Sequence, residues 1–184
     1  MAEKWCVFLR GINVNGISIK MDALEAAFRD MGFPAVRTVL ATGNVIVSPP
    51  DGDTGWEALR ARIESGLSAR FCYDAHVLLR DAEEIRAVCA DAGTLPAAEG
   101  CHQYHLLCDD AALPAELEAL FGSVGQLLEE RFAVLGSGAF WMVPKGFTLK
   151  SEFGTKVLGA KKYKDRLTSR NISTIEKVRK LMQN

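Results

Sequence analysis

Apolar positions recur along this chain with two different periods. Trp5-Cys6-Val7-Phe8-Leu9 is a continuous apolar run that reads as a buried strand, the first strand covering 4–9. Met21, Leu24, Phe28 and Met31 are spaced for one stripe of a helix over 21–31, and Gly32 is a natural stop for it. Residues 36–41 alternate as a strand. Thr42-Gly43-Asn44 then makes a tight turn, and Val45-Ile46-Val47 returns as the second arm of a hairpin. Ser48-Pro49-Pro50-Asp51-Gly52-Asp53 interrupts the pattern. Thr54-Gly55-Trp56-Glu57 has the form of a capping box, opening a helix with Trp56, Leu59, Ile63 and Leu67 on its inner face. A fourth strand covers 75–79. The order β-α-β-β-α-β is the ferredoxin-like split βαβ, a four-stranded antiparallel sheet with both helices on one face.

The pattern then partly recurs. A helix over 81–92 is capped by Asp81, and 93–100 reads as a hinge interrupted by Pro96. A strand at 102–107, a short helix at 114–121, a hairpin around Gly136-Ser137-Gly138 and a weak helix at 150–158 follow. Ser173-Thr174-Ile175-Glu176 is a further capping box, opening a last helix with Ile175, Val178 and Met182 facing inward. The fold class expected is therefore α+β: a ferredoxin-like βαββαβ N-terminal subdomain at 1–80, a connecting helix and hinge at 81–100, and a second, related α+β subdomain with basic C-terminal helices at 101–184.

Charge adds an asymmetry that the net value of −1 hides. From Lys145 onward there are 11 Lys and Arg against 3 Asp and Glu; the first 144 residues carry 11 against 20. The basic tail either meets an anionic partner or docks on acidic parts of its own chain. Within it, Lys161-Lys162-Tyr163-Lys164 could follow a nucleic-acid backbone while the ring stacks on a base; the alternative is a solvated basic face. Five apolar residues before Arg10 are too few for a signal peptide or membrane span. The five cysteines form no Cys-x-x-Cys pair, which fits a reduced cytoplasmic compartment.

Candidate chemistry concentrates at two junctions. Leaving the first strand, Arg10-Gly11-Ile12-Asn13-Val14-Asn15-Gly16 offers a planar cation, glycines that permit positive φ and two amides, with Lys20 just before the helix. Its plain alternative is a turn in which Arg10 pairs with an acidic neighbour. Near the C-terminus, Thr168-Ser169-Arg170-Asn171 precedes the last helix, where Thr174 and Lys177 stand. Either junction suits a phosphate or carboxylate. Neither is a Walker loop or a Gly-x-Gly-x-x-Gly fingerprint, so no cofactor is implied. Cys101-His102-Gln103-Tyr104-His105-Leu106-Leu107-Cys108 holds four potential ligands, but as a strand it would send them to opposite faces, so no metal site is expected. Cys72 and Cys89 read as core or semi-core residues. No nucleophile stands out, and His76, His102 and His105 all lie outside the candidate loops, which argues against ordinary histidine acid–base chemistry.

Taken together, Arg10-Gly11-Ile12-Asn13-Val14, Lys20-Met21, Thr42-Gly43-Asn44-Val45 and Thr168-Ser169-Arg170-Asn171 with Thr174 and Lys177 resemble the bacterial domain-of-unknown-function family 1697 over nearly the whole chain. The chain departs from that pattern at Asn15-Gly16, where the family usually has a glycine pair, at Thr42 in place of Ser, and at Ile172 in place of Trp. The resemblance implies two ferredoxin-like-related subdomains in a soluble bacterial protein and supplies no activity. It strengthens the expectation that the opening loop and the Thr168–Asn171 block act together on an anionic small molecule or a nucleic acid. The candidate contacts are Arg10, Gly11, Asn13, Asn15, Gly16, Lys20, Thr42, Gly43, Asn44, Lys145, Thr168, Arg170, Asn171, Thr174 and Lys177. An enzyme acting on a small anionic metabolite and a protein-interaction module with a basic tail are the rival readings, and whether any reaction is catalysed is left open.

Overall fold

A computed structural model describes residues 4–12, 17–50, 55–96 and 99–183. The chain divides into two compact units, one of Met1–Ile85 with Lys177–Asn184, the other of Arg86–Glu176.

The first unit is built on β1 (Trp5–Leu9), α1 (Met21–Asp30), β2 (Ala35–Thr38), β3 (Asn44–Ser48), α2 (Trp56–Phe71) and β4 (Val77–Asp81). Its sheet has the order β2-β3-β1-β4, all neighbours antiparallel, which is the ferredoxin-like arrangement. Alternation sends Val7, Leu9, Val45, Val47, Val77 and Leu79 to one face. There they pack with Leu24 and Phe28 of α1 and with Leu59, Ile63 and Leu67 of α2. The opposite face, with Cys6, Phe8, Asn44, Ile46 and Leu78, is buried as well, which explains the unbroken apolar run of β1. Gly32 takes φ +87° at the end of α1, the left-handed stop that the sequence signals.

The second unit repeats the topology. It contains β5 (Cys101–Cys108), α4 (Leu113–Ser123), β6 (Arg131–Leu135), β7 (Gly138–Pro144), α5 (Glu152–Leu158), a 3-10 turn (Lys161–Tyr163) and β8 (Leu167–Asn171). The sheet order β6-β7-β5-β8 matches that of the first unit strand for strand. Leu106, Trp141, Val143 and Leu167 face Leu113 and Leu117 of α4 and Phe153 and Val157 of α5. The remaining helices are α3 (Ala82–Thr94) and α6 (Ile172–Met182). Asp81 and Glu84 form a reciprocal capping box for α3. The Asp81 carboxylate accepts from the Glu83 and Glu84 N–H groups, and Glu84 accepts from the Asp81 N–H.

Several expectations are corrected. Thr168, Ser169, Arg170 and Asn171, which the apolar pattern leaves outside any strand, form the edge strand β8 that closes the second sheet. The last helix begins at Ile172. Its cap is the Asn171 carboxamide oxygen, which accepts from the Ser173 N–H at 3.0 Å, so the proposed box starting at Ser173 is displaced by two residues. Trp56 is 50% exposed because it lies in the first turn of α2, ahead of the core stripe. Cys72 is exposed and holds the left-handed position that ends α2. Thr54 and residues 51–53 lie outside the described residues.

Candidate functional site

The end of the first sheet gathers three pieces of chain. The Leu9 N–H donates to the Gly43 carbonyl at 2.7 Å and the Arg10 N–H to the His76 carbonyl at 3.0 Å. The exit of β1 is thus held between the β2–β3 turn and the segment entering β4. Gly11, at φ +73°, then turns the chain, and a Cβ there would meet nothing within 4 Å, so conformation alone calls for glycine. Gly43 differs. At φ +73°, its Cβ would stand 2.8 Å from Ile12 Cδ1 and 3.0 Å from Leu9 Cβ, so it serves turn geometry and close packing together. Asn44 is fully buried, and its amide donates to the Val39 carbonyl at 2.8 Å and to Thr42 Oγ1 at 2.9 Å. Gly43 and Asn44 therefore build the turn, and Thr42 is the exposed member of the three.

Arg10 is half-buried and Lys20 exposed. No side chain caps α1 at Lys20, and Asp22 lies in its first turn. Asn13, Asn15 and Gly16 lie outside the described residues.

Nothing in the local sequence pattern connects His76 with this place. In β1 and β4 the register pairs Leu9 with Val77 and Phe8 with Leu78. The Arg10–His76 bond carries the ladder one step further. Alternation then assigns Arg10 and His76 to the face of Phe8 and Leu78, away from α1 and α2. His76 Nε2 lies 3.0 Å from Asp74 Oδ2, and the two side chains are 25% and 74% exposed. The signal that would have found His76 is the pairing of first and fourth strands inherent in a βαββαβ sheet.

In the second unit, Arg170 stands directly across the ladder from His105. Both are buried, and Thr168, two residues along β8, shares their face. The Arg170 guanidinium donates to Thr168 Oγ1 at 2.7 Å and to the Ser169 carbonyl at 2.9 Å. Asn171 combines its capping role with a contact of 3.2 Å between Nδ2 and His102 Nδ1. Thr174 is buried in α6, and Lys145 is exposed on the turn after β7, where its N–H donates to the Gly100 carbonyl at 2.9 Å. Lys177 is exposed and belongs, with Arg10, to the first unit; Arg170 belongs to the second. Each of the three histidines therefore neighbours a candidate residue: His76 with Arg10, His102 with Asn171, His105 with Arg170. The absence of histidine from the loops as written in sequence did not mean its absence from them in the fold.

Part of the basic tail docks on acids of its own unit. Arg166 lies 2.5 Å from Asp110 and 3.9 Å from Asp109, and Lys162 pairs with Glu116. The Lys162 ammonium and the Tyr163 hydroxyl hold the Glu116 carboxyl below the usual carboxylate range, and Arg166 does the same for Asp110. Tyr163 is buried and its hydroxyl donates to Glu116 at 2.8 Å, so the ring is not presented for base stacking. Burial, followed by that hydrogen bond to Glu116, raises its pKa. The exposed aromatic of the basic region is Phe147, with Lys150 Nζ 5.1 Å from its ring centre. Among the described residues no group of three or more His, Cys, Asp and Glu could hold a metal ion, and no helix is long and apolar enough to cross a membrane.

The sequence profile of the family described as protein of unknown function (DUF1697) matches residues 2–140. Among solved structures, the conserved bacterial protein SP0830 from Streptococcus pneumoniae resembles the chain with a TM-score of 0.77 at 19% identity, and the match covers 100% of each chain. At that identity the likeness concerns the fold. No curated protein matches the chain.

Proposed function

The chain belongs to the DUF1697 family, and from that premise we propose that it binds an anionic ligand bearing phosphate or carboxylate, such as a nucleotide or a nucleic acid. The main contact is Arg10, supported by Lys20 and Thr42 and by Asn13 and Asn15 of the same loop. The observation that carries this reading is the way Arg10 is held. Its main chain is fixed by the segment before β4 and its neighbour Leu9 by the β2–β3 turn, while its side chain stays partly exposed. A guanidinium on a fixed backbone loses less freedom when it grips an anion. Thr168, Arg170, Asn171, Thr174 and Lys145 belong to the second unit and are candidate contacts of that unit by itself. The Arg170 guanidinium is buried and donates to Thr168 and to the Ser169 carbonyl of its own strand, whereas Arg10 is only half-buried.

A second reading, an enzyme acting on a small anionic metabolite, is favoured by one observation: the Asp74–His76 pair beside Arg10 supplies a group able to take or give a proton.

Calorimetric titration at low salt tests the binding reading, with pyrophosphate and a short single-stranded oligonucleotide as probes. Arg10→Ala is expected to weaken the bound probe about tenfold or more, the worth of a charge-assisted hydrogen bond. If neither probe binds the wild-type protein at low salt, the reading fails.

A further inference from the structure

We propose that His102 is an anion contact of the second unit, presenting its Nε2–H as a neutral donor to a carboxylate or phosphate oxygen, and that Asn171 fixes the ring in that form. This concerns the second unit by itself and goes beyond the Arg10 reading, with which it neither stands nor falls.

The direction of each hydrogen bond is set from Ser173 outward. The Ser173 N–H can only donate, so the Asn171 side-chain atom it meets at 3.0 Å is the carbonyl oxygen. The Ser173 hydroxyl donates to that same oxygen at 2.8 Å. The Asn171 atom 3.2 Å from His102 Nδ1 is then the amide nitrogen, which only donates. Nδ1 must accept, so it carries no proton, and the neutral imidazole holds its proton on Nε2. Such a ring cannot act as a base through Nε2, but it can donate there. Among the described residues Nε2 has no hydrogen-bond partner, and the side chain is only half-buried. Tyr104, the cross-strand neighbour of Asn171, holds the ring from another side, with ring centres 5.8 Å apart and its own hydroxyl 3.3 Å from Thr148 Oγ1. A donor on a ring so held loses little freedom on binding. Asn171 acts through His102 and is a positioning residue.

Lys145 favours a charged acceptor. His102 pairs across the ladder with Val143 of β7, and the Lys145 N–H continues that ladder to the Gly100 carbonyl. Lys145 is thus two residues past the partner of His102, on the same face, at the diagonal spacing of about 7–8 Å that long side chains span. It is exposed and has no ion pair among the described residues. An ammonium at that range draws an anionic oxygen to the imidazole in preference to a neutral carbonyl.

Long-range proton–nitrogen NMR of the full-length protein at about pH 8, above the ordinary histidine pKa, reads the His102 tautomer. The same signals are followed during titration with inorganic phosphate and, separately, with acetate. Nε2 is expected to carry the proton, and its signal to move with at least one anion; the tighter of the two names the class. Asn171→Ala is expected to mix the two tautomers. His102→Phe, which keeps a ring against Tyr104, and Lys145→Gln are each expected to weaken the tighter anion about fivefold, followed at the Gln103 amide. The wild-type ring signals report contact even where a variant folds poorly. A proton on Nδ1, a single unchanged tautomer in Asn171→Ala, an Nε2 signal that neither anion moves, or wild-type affinity in His102→Phe or Lys145→Gln overturns the inference. Shifts at Arg10 without His102 overturn it and leave the Arg10 reading in place; shifts at His102 without Arg10 do the reverse.

Discussion

The main-chain N–H of Arg10 donates to the main-chain carbonyl of His76, joining the exit of β1 to the entrance of β4. This contact is main chain to main chain, so it survives truncation of the Arg10 side chain. Arg10→Ala keeps that main-chain bond and is expected to cost about 1–2 kcal/mol of stability, the range of ordinary substitutions at half-buried positions. The same variant should lose anion affinity while remaining folded. Urea denaturation and titration with pyrophosphate check this, and an unchanged affinity in the folded variant would contradict it.

Gly43 and Gly11 share a φ of +73° but differ in what surrounds them. Gly11→Ala meets only the conformational penalty, about 1 kcal/mol. Gly43→Ala adds a clash with Ile12 and Leu9, and is expected to cost about 2–4 kcal/mol in all. Truncating Ile12 to Val beside it should recover part of that loss. Denaturant titration of the three proteins decides the order.

Glu130 is buried in the second unit, and its carboxylate accepts from Trp141 Nε1 at 2.8 Å, Ser151 Oγ at 2.6 Å and the Leu127 N–H at 3.0 Å. Ser151 Oγ in turn accepts from the Gly154 N–H and caps α5. Glu130→Ala strands three donors and is expected to destabilise the protein by about 3 kcal/mol or more. Ser151→Ala removes one donor and the cap, at about 1–2 kcal/mol. Tryptophan fluorescence in urea should show the larger change for Glu130→Ala.

Asp91 holds the β6–β7 turn, accepting from the Ser137 hydroxyl at 2.7 Å and the Ser137 N–H at 2.8 Å. The hydroxyl bond first, then the main-chain bond, keeps its pKa below the ordinary aspartate value; the field of His105 adds to this and burial opposes it. The folded value lies below the unfolded one. Its stabilising contribution is therefore complete above the ordinary aspartate pKa, about 3.9, and is lost as pH falls through the folded value. The stability gap between wild type and Ser137→Ala should be widest near neutrality and narrow in acid. Carboxyl NMR titration should show the Asp91 pKa rising in the variant.

Local pattern carried much of the architecture. The stripe on α1, the Asp81 cap of α3 and the hairpin around Gly136-Ser137 are visible because each depends on neighbours within a few residues. β8 was hidden because its alternation does not separate apolar from polar. Thr168 and Arg170 are the buried partners of Leu107 and His105, while Ser169 and Asn171 lie on the helix-bearing face. Tyr163 misled for a related reason, since the acid that buries its hydroxyl, Glu116, sits on a different element.

The sequence by itself determined the α+β class, the first βαββαβ unit, a second unit related to it but short of its last strand, and the glycines that must turn. It also marked Arg10 and Arg170 as the cations to watch. Only tertiary structure decided that each histidine stands beside a candidate residue, that Asn44 is spent inside its turn, and that Lys162 and Arg166 are engaged by Glu116 and Asp110. The physical reason is one of range. Periodicity and caps are set by steric and hydrogen-bond rules acting over a turn or two of chain. Which imidazole meets which guanidinium is set by strand order and register, and these are fixed by burying both faces of a sheet at once.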